Sequence, residues 1–104
     1  MPNAIYYVSF KLKKGAVVAD FLAAAQRLND EFISKQKGYI SWKQCFDAKN
    51  ETWADCLTFE TMDDLNNFLE LSRNPDDIAM AFYSFINLSS CKTHHFSIER
   101  SYGA

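Results

Sequence analysis

At 104 residues and a net charge of -2, the chain has the length of a single domain (1–104) and offers no electrostatic attraction for nucleic acid or an anionic membrane surface. Its three cysteines, odd in number and without a CxxC spacing, argue against a secreted disulfide scaffold or a zinc site and point to the cytoplasm. No apolar run approaches the roughly 20 residues that span a bilayer, and the N-terminus alternates where a signal peptide would be continuously apolar.

From Ala4 to Lys13 the sequence has period two, with Tyr6, Val8, Phe10 and Leu12 on one side and Ile5, Tyr7, Ser9 and Lys11 on the other, which predicts a strand. Lys14-Gly15 turns the chain. From Val17 to about Gln36, Val18, Phe21, Leu22, Ala25, Leu28 and Phe32 recur at helical spacing, opposite Asp20, Arg27, Asp30 and Lys35. Lysines followed by Gly38 predict the helix stop. Tyr39–Asp47 and Thr52–Glu60 read as two strands joined by the polar turn Ala48-Lys49-Asn50.

Thr61, followed by Met62-Asp63-Asp64, reads as an N-cap with acids in the first turn, where the helix dipole favours them. Met62, Leu65, Phe68 and Leu69 give that short helix its apolar side. A second start follows, with Asn74 as cap, Pro75 in the first helical position, and Ile78, Phe82, Phe85 and Ile86 as the apolar side. A last strand is expected from about Ser89 to Glu99. The order β, α, β, β, α, β, with the second helix broken in two, predicts an α+β ferredoxin-like sandwich. Its four-stranded antiparallel sheet would carry both helical layers on one face.

Nine Phe, five Tyr and two Trp are many large rings for so short a chain, and they need cover. In the third strand one side offers Thr52, Ala54, Cys56 and Thr58, the other Trp53, Asp55, Leu57 and Phe59. A carboxylate beneath helices is unfavourable without a partner. The expectation is therefore that Trp53, Asp55, Leu57 and Phe59 join Ile5 and Tyr7 on the open face of the sheet, with Trp42 beside them. Such an apolar face is seldom left bare, and a symmetric dimer is the commonest cover.

The chain resembles the dimeric α/β-barrel proteins of the antibiotic biosynthesis monooxygenase kind. The resemblance rests on Phe21 through the GYISW segment (Gly38–Trp42), on WADCLTFET (Trp53–Thr61), and on a short helix followed by NPDDIAMAFYSFI; it runs from about Tyr6 to Phe96. It implies a homodimer whose two sheets form a barrel, with a pocket inside the barrel or between each sheet and its helices. Members of this kind include cofactor-independent oxygenases of aromatic polyketides and proteins that degrade haem. The haem branch presents an Asn on its first strand and a His after its third. This chain has Ser9 in the first strand and no histidine before His94, which disfavours haem.

Several residues are candidates for chemistry. Asp55, set among Trp53, Leu57 and Phe59, would have its pKa raised and serve as a base, or else hold a structural hydrogen bond or a salt bridge across a dimer. His94 and His95 point to opposite faces of a strand, so one of them reaches the barrel side as base or hydrogen-bond donor, or rests in the core or dimer seam. Tyr7, Ser9, Trp42, Trp53, Leu57 and Phe59 would line a pocket for a flat aromatic molecule or pack at an interface. No cofactor is implied: there is no glycine-rich phosphate loop, and two histidines without further ligands make no metal site. Two functions follow, a cofactor-free monooxygenase of a small aromatic substrate and a non-catalytic binding or interaction module on the same dimer.

Overall fold

The computed structural model describes residues 2–103. In chain order it contains β1 (Ala4–Leu12), α1 (Val18–Glu31), a 3-10 turn (Ile33–Lys35), β2 (Tyr39–Asp47), β3 (Thr52–Phe59), α2 (Met62–Leu71), α3 (Asp77–Tyr83) and β4 (Ile86–Ser97). The strands form one antiparallel sheet in the order β2-β3-β1-β4, the ferredoxin-like βαββαβ arrangement that the order of elements predicts.

Local signals set most of the boundaries. Thr61 caps α2 by accepting the Asp64 N–H at 3.1 Å. Three expectations shift. The first helix ends at Glu31, and the 3-10 turn carries the chain onward, so Gly38 (φ +81°) serves the entry to β2 instead of the helix stop. Asp76, not Asn74, caps α3, accepting the Ala79 N–H at 2.9 Å, which leaves Pro75 outside the helix. Phe85 and Ile86 lie beyond the last helix, and Ile86 opens β4.

The third strand faces the opposite way from the sequence expectation. Directly opposed residues of an antiparallel ladder share a face, and β1 opposes Phe10 to Trp53, Val8 to Asp55, Tyr6 to Leu57 and Ala4 to Phe59. Trp53, Asp55, Leu57 and Phe59 are therefore buried beneath the helices, and Ala54, Cys56 and Thr58 face the open side. Burying three large apolar side chains contributes about 1.5–3 kcal/mol each. That outweighs the penalty on one carboxyl group, which is able to escape part of it by holding a proton.

The core forms where helix-facing strand residues meet the apolar stripes of the helices. Phe21, Ala25 and Leu28 recur along one side of α1 and are buried. The Phe21 ring stands edge-on to Trp53 at 5.2 Å and stacks with Phe82 of α3 at 5.3 Å. Phe59 stacks on Phe68 of α2 at 5.3 Å, joining the second helix to the central strand. On the open side, Tyr7 opposes His94 and Ile5 opposes Phe96, and the rings of His94 and Phe96 stack at 5.4 Å.

Candidate functional site

Between the sheet and its helices lies a cavity of about 440 Å³. Period-two alternation sends Tyr6, Val8 and Phe10 of β1 into it, together with Trp42 of β2 and Asp55 and Leu57 of β3. Leu28, Phe68, Phe82 and Tyr83 close it from the helical side. Arg73, Leu88, Thr93 and His95 form its exposed rim.

Asp55 is the chemically distinctive group in this wall. Only 6% of its surface is exposed. Burial pushes its carboxyl up to about 7, because a carboxylate loses hydration there, while the Trp42 indole and the Gln44 amide nearby pull it back down. Neither neighbour satisfies it fully: Asp55 Oδ1 has no hydrogen-bond partner among the described residues, and neither does Nε2 of Gln44, the residue opposite it in the β2–β3 ladder. With its own nitrogen unpartnered, Gln44 acts as a neighbouring dipole and not as a closed hydrogen bond. Around the carboxyl, burial also pushes up the Tyr6 and Tyr83 phenols and the Cys91 thiol, and the negative charge of Asp55 adds to each.

A second cleft of about 520 Å³ lies among α1, the 3-10 turn, α2 and α3, past Phe32, Leu71 and Pro75, and shares Leu28, Ile33, Phe68, Ser72 and Tyr83 with the first. It is the larger of the two, but its carboxylates are already engaged. Asp76 caps α3 and Glu70 pairs with Arg73 at 3.6 Å. The smaller cavity, with an unsatisfied acid in its wall, is the candidate site.

The sequence candidates divide between the two sides of the sheet. Asp55, Trp42, Leu57 and His95 reach the cavity, with His95 at the rim and edge-on to Tyr6 at 5.2 Å. Tyr7, Ser9 and His94 belong to the open face, away from it. Trp53 and Phe59 lie on the cavity's side of the sheet but are built into the core, against Phe21 and Phe68. An open-face chamber lined by Trp53, Asp55, Leu57 and Phe59 is thus ruled out by the β1–β3 register.

Tyr6, Tyr83, Cys91 and Thr93 were absent from the sequence candidates although they line the cavity. The alternation of Tyr6 with Val8 and Phe10, on the side of β1 away from Ile5 and Tyr7, was the available signal for Tyr6. Among the described residues, no three His, Cys, Asp or Glu side chains gather as metal ligands would.

No family model matches the chain, and no curated protein matches it in sequence. Solved structures do match in shape. A cofactor-independent oxygenase, SnoaB of Streptomyces nogalater, superposes with a TM-score of 0.73 at 12% identity over 97% of each chain. A candidate antibiotic biosynthesis monooxygenase from Bordetella bronchiseptica gives 0.74 at 14% identity, covering 92% of this chain and 96% of its own. A protein of unknown function from Nitrosomonas europaea gives 0.64 at 19% identity, over 100% of this chain and 96% of its own. The fold is that of the antibiotic biosynthesis monooxygenase-like proteins. At these identities the likeness is one of fold, and a single fold hosts many activities.

Proposed function

We propose that the chain is a cofactor-independent monooxygenase-like catalyst for a small aromatic substrate, with Asp55 as its base. One observation carries the reading: a buried carboxyl at about 7, with an unpartnered oxygen, in the wall of a cavity lined by aromatic and aliphatic side chains. A base is most useful when its pKa lies near the working pH. Trp42, Phe10 and Phe82 supply flat apolar walls suited to an aromatic ring, and Arg73 and His95 stand where a substrate would enter.

In the proposed reaction Asp55 takes a proton from an acidic C–H flanked by aromatic rings. The resulting anion gives its electrons to dioxygen. For a methylene substrate, one oxygen atom stays as a carbonyl and the other leaves as water with both methylene hydrogens, so no outside reductant is needed. Water exclusion by Phe10, Leu57 and Phe82 favours the anion's reaction with oxygen over its reprotonation from solvent.

The catalyst is further proposed to be a cytoplasmic homodimer joined through the open face of the sheet. Ile5, Tyr7, His94 and Phe96 support this, because they form an apolar and aromatic patch on that side. No helix is long and apolar enough to cross a membrane among the described residues.

Oxygen consumption with polycyclic phenols and anthrones tests the reading. Wild-type protein should consume oxygen with at least one of them, and Asp55→Asn should lower the rate by about 10²–10⁴-fold, the usual contribution of a general base. Equal rates in the two proteins would refute the role of Asp55. Binding of a phenol with no oxygen uptake across the panel would instead establish the alternative, a non-catalytic binding module.

A further inference from the structure

Two phenol groups reach the Asp55 cavity from distant parts of the sequence, Tyr6 from β1 and Tyr83 from the last turn of α3. They lie close enough to Asp55, and to Cys91 of β4, for its charge to be felt at each. Tyr39, outside the cavity, gives its hydroxyl to Asn29 Oδ1 at 3.0 Å, whereas the hydroxyls of Tyr6 and Tyr83 find no such partner among the described residues. Neither hydroxyl is among the sealed-in atoms left without a partner, so both open onto the cavity they line. Here two free O–H donors and one unpartnered carboxylate oxygen share a single cavity.

We propose that Tyr6 and Tyr83 form a paired-hydroxyl site that holds the oxygen anion of an ionised ligand beside Asp55, an inference that rests on Asp55 acting as the base. The complementarity is chemical. A phenol or enol in the cavity gives its proton to Asp55, and the negative charge gathers on an oxygen that only donors are able to satisfy. Both phenols stay protonated, as donors, over the range in which Asp55 titrates, because burial and then neighbouring negative charge push them up. The ligand class is a flat ring bearing an ionisable hydroxyl, and the two tyrosines position it by stabilising its anion more than its neutral form.

Other charges around Asp55 are few. The rim has Arg73 from the link after α2 and His95 from β4; β4 also supplies Cys91. From β2 come only the neutral Trp42 and Gln44, and from α1 and the 3-10 turn only Leu28 and Ile33. A shift in the ionisation of a bound phenol on removal of a tyrosine hydroxyl is therefore assignable to that hydroxyl.

The test uses full-length protein and 4-nitrophenol, whose coloured anion reports its ionisation directly, with 4-nitroanisole as the ether that has no proton to lose. In wild type the bound phenol should ionise more readily than in Tyr6→Phe or Tyr83→Phe, each substitution lowering the bound anion-to-neutral ratio about tenfold, as expected for loss of one charge-assisted hydrogen bond. Affinity for 4-nitroanisole should change less than twofold, which separates positioning from a damaged cavity. An unchanged anion ratio in both variants, equal losses for phenol and ether, or no binding of 4-nitrophenol by wild type would each overturn the proposal. Oxygen uptake by wild type alongside an unchanged ratio would sink the tyrosine site while leaving Asp55 as base. An altered ratio without any uptake would support the site and remove the oxygenase reading.

Discussion

Asp55 links the chemistry of the cavity to the stability of the whole chain. In the unfolded chain its carboxyl titrates near 3.8, and in the fold at about 7. A raised carboxyl favours folding most when it is protonated in both states. That contribution is fully present below the unfolded value and is lost as the pH rises through the folded one, because the unfolded chain gives up its proton first. Between about pH 4 and 7 the loss amounts to about 4 kcal/mol at 1.36 kcal/mol per unit. Urea denaturation at pH 5 and pH 8 should show wild type losing stability with rising pH through this residue, and Asp55→Asn losing less. A wild-type pH slope identical to that of the variant would show that the carboxyl is not perturbed. The same substitution is expected to lower turnover by about 10²–10⁴-fold while stabilising the protein at pH 8, so loss of activity through unfolding is separable from loss of the base.

Among the elements, the start of α2 is docked with little tolerance. Gly38 sits at φ +81°, and its carbonyl accepts the Glu60 N–H at 2.7 Å just ahead of the helix cap. A Cβ at this position would come within 2.6 Å of Cγ of Asp64, a buried side chain in the first turn of α2. Gly38→Ala therefore adds a steric clash to the roughly 1–2 kcal/mol that a left-handed backbone demands of a residue with a side chain. We expect destabilisation above 2 kcal/mol, measured by the denaturation midpoint at constant slope. A change below 0.5 kcal/mol would mean that α2 shifts freely.

The elements also mark how far the sequence was legible. Strand and helix identities followed from period two and period 3.6, and β2 matched its expected limits, Tyr39–Asp47. Within the candidate site, Asp55 was legible as a perturbed carboxyl, but its direction was not. The penalty for burying one acid points outward, but the gain from burying Trp53, Leu57 and Phe59 on the same side is larger and decides the direction. The register that settles the matter joins β1 to β3 across about fifty residues and leaves no local trace. Neither was it legible which histidine faces the cavity. Ile86 and His95 stand opposite Leu12 and Tyr6, on one side of the sheet, although nine positions separate them. Regular alternation forbids that, so a break in β4 is required and the period alone could not place it.

For the molecule as a whole, the covered face of the sheet is a ring-on-ring core, while the open face is a patch centred on Ile5, Tyr7, His94 and Phe96. Light scattering at micromolar concentration should give twice the chain mass of 12.0 kDa, and Tyr7→Glu should return single chains by placing a charge in the seam. Single chains in the wild type would remove the proposed dimer. They would leave the cavity intact, since it lies on the other side of the sheet and is enclosed by residues of one chain.

The break in β4 has an effect of its own. Between Ser9 and Lys11, β1 advances two positions while β4 runs from Lys92 to Asn87, and Ser90 fills the gap by accepting the Lys11 N–H at 2.8 Å and donating to the Asn87 carbonyl at 2.6 Å. Over Asn87–Lys92 this outermost strand therefore presents no even row of amide and carbonyl groups along its free margin. Extended segments of other molecules find no straight template there. A bulge of this kind is one of the ways in which an edge strand discourages pairing with other chains.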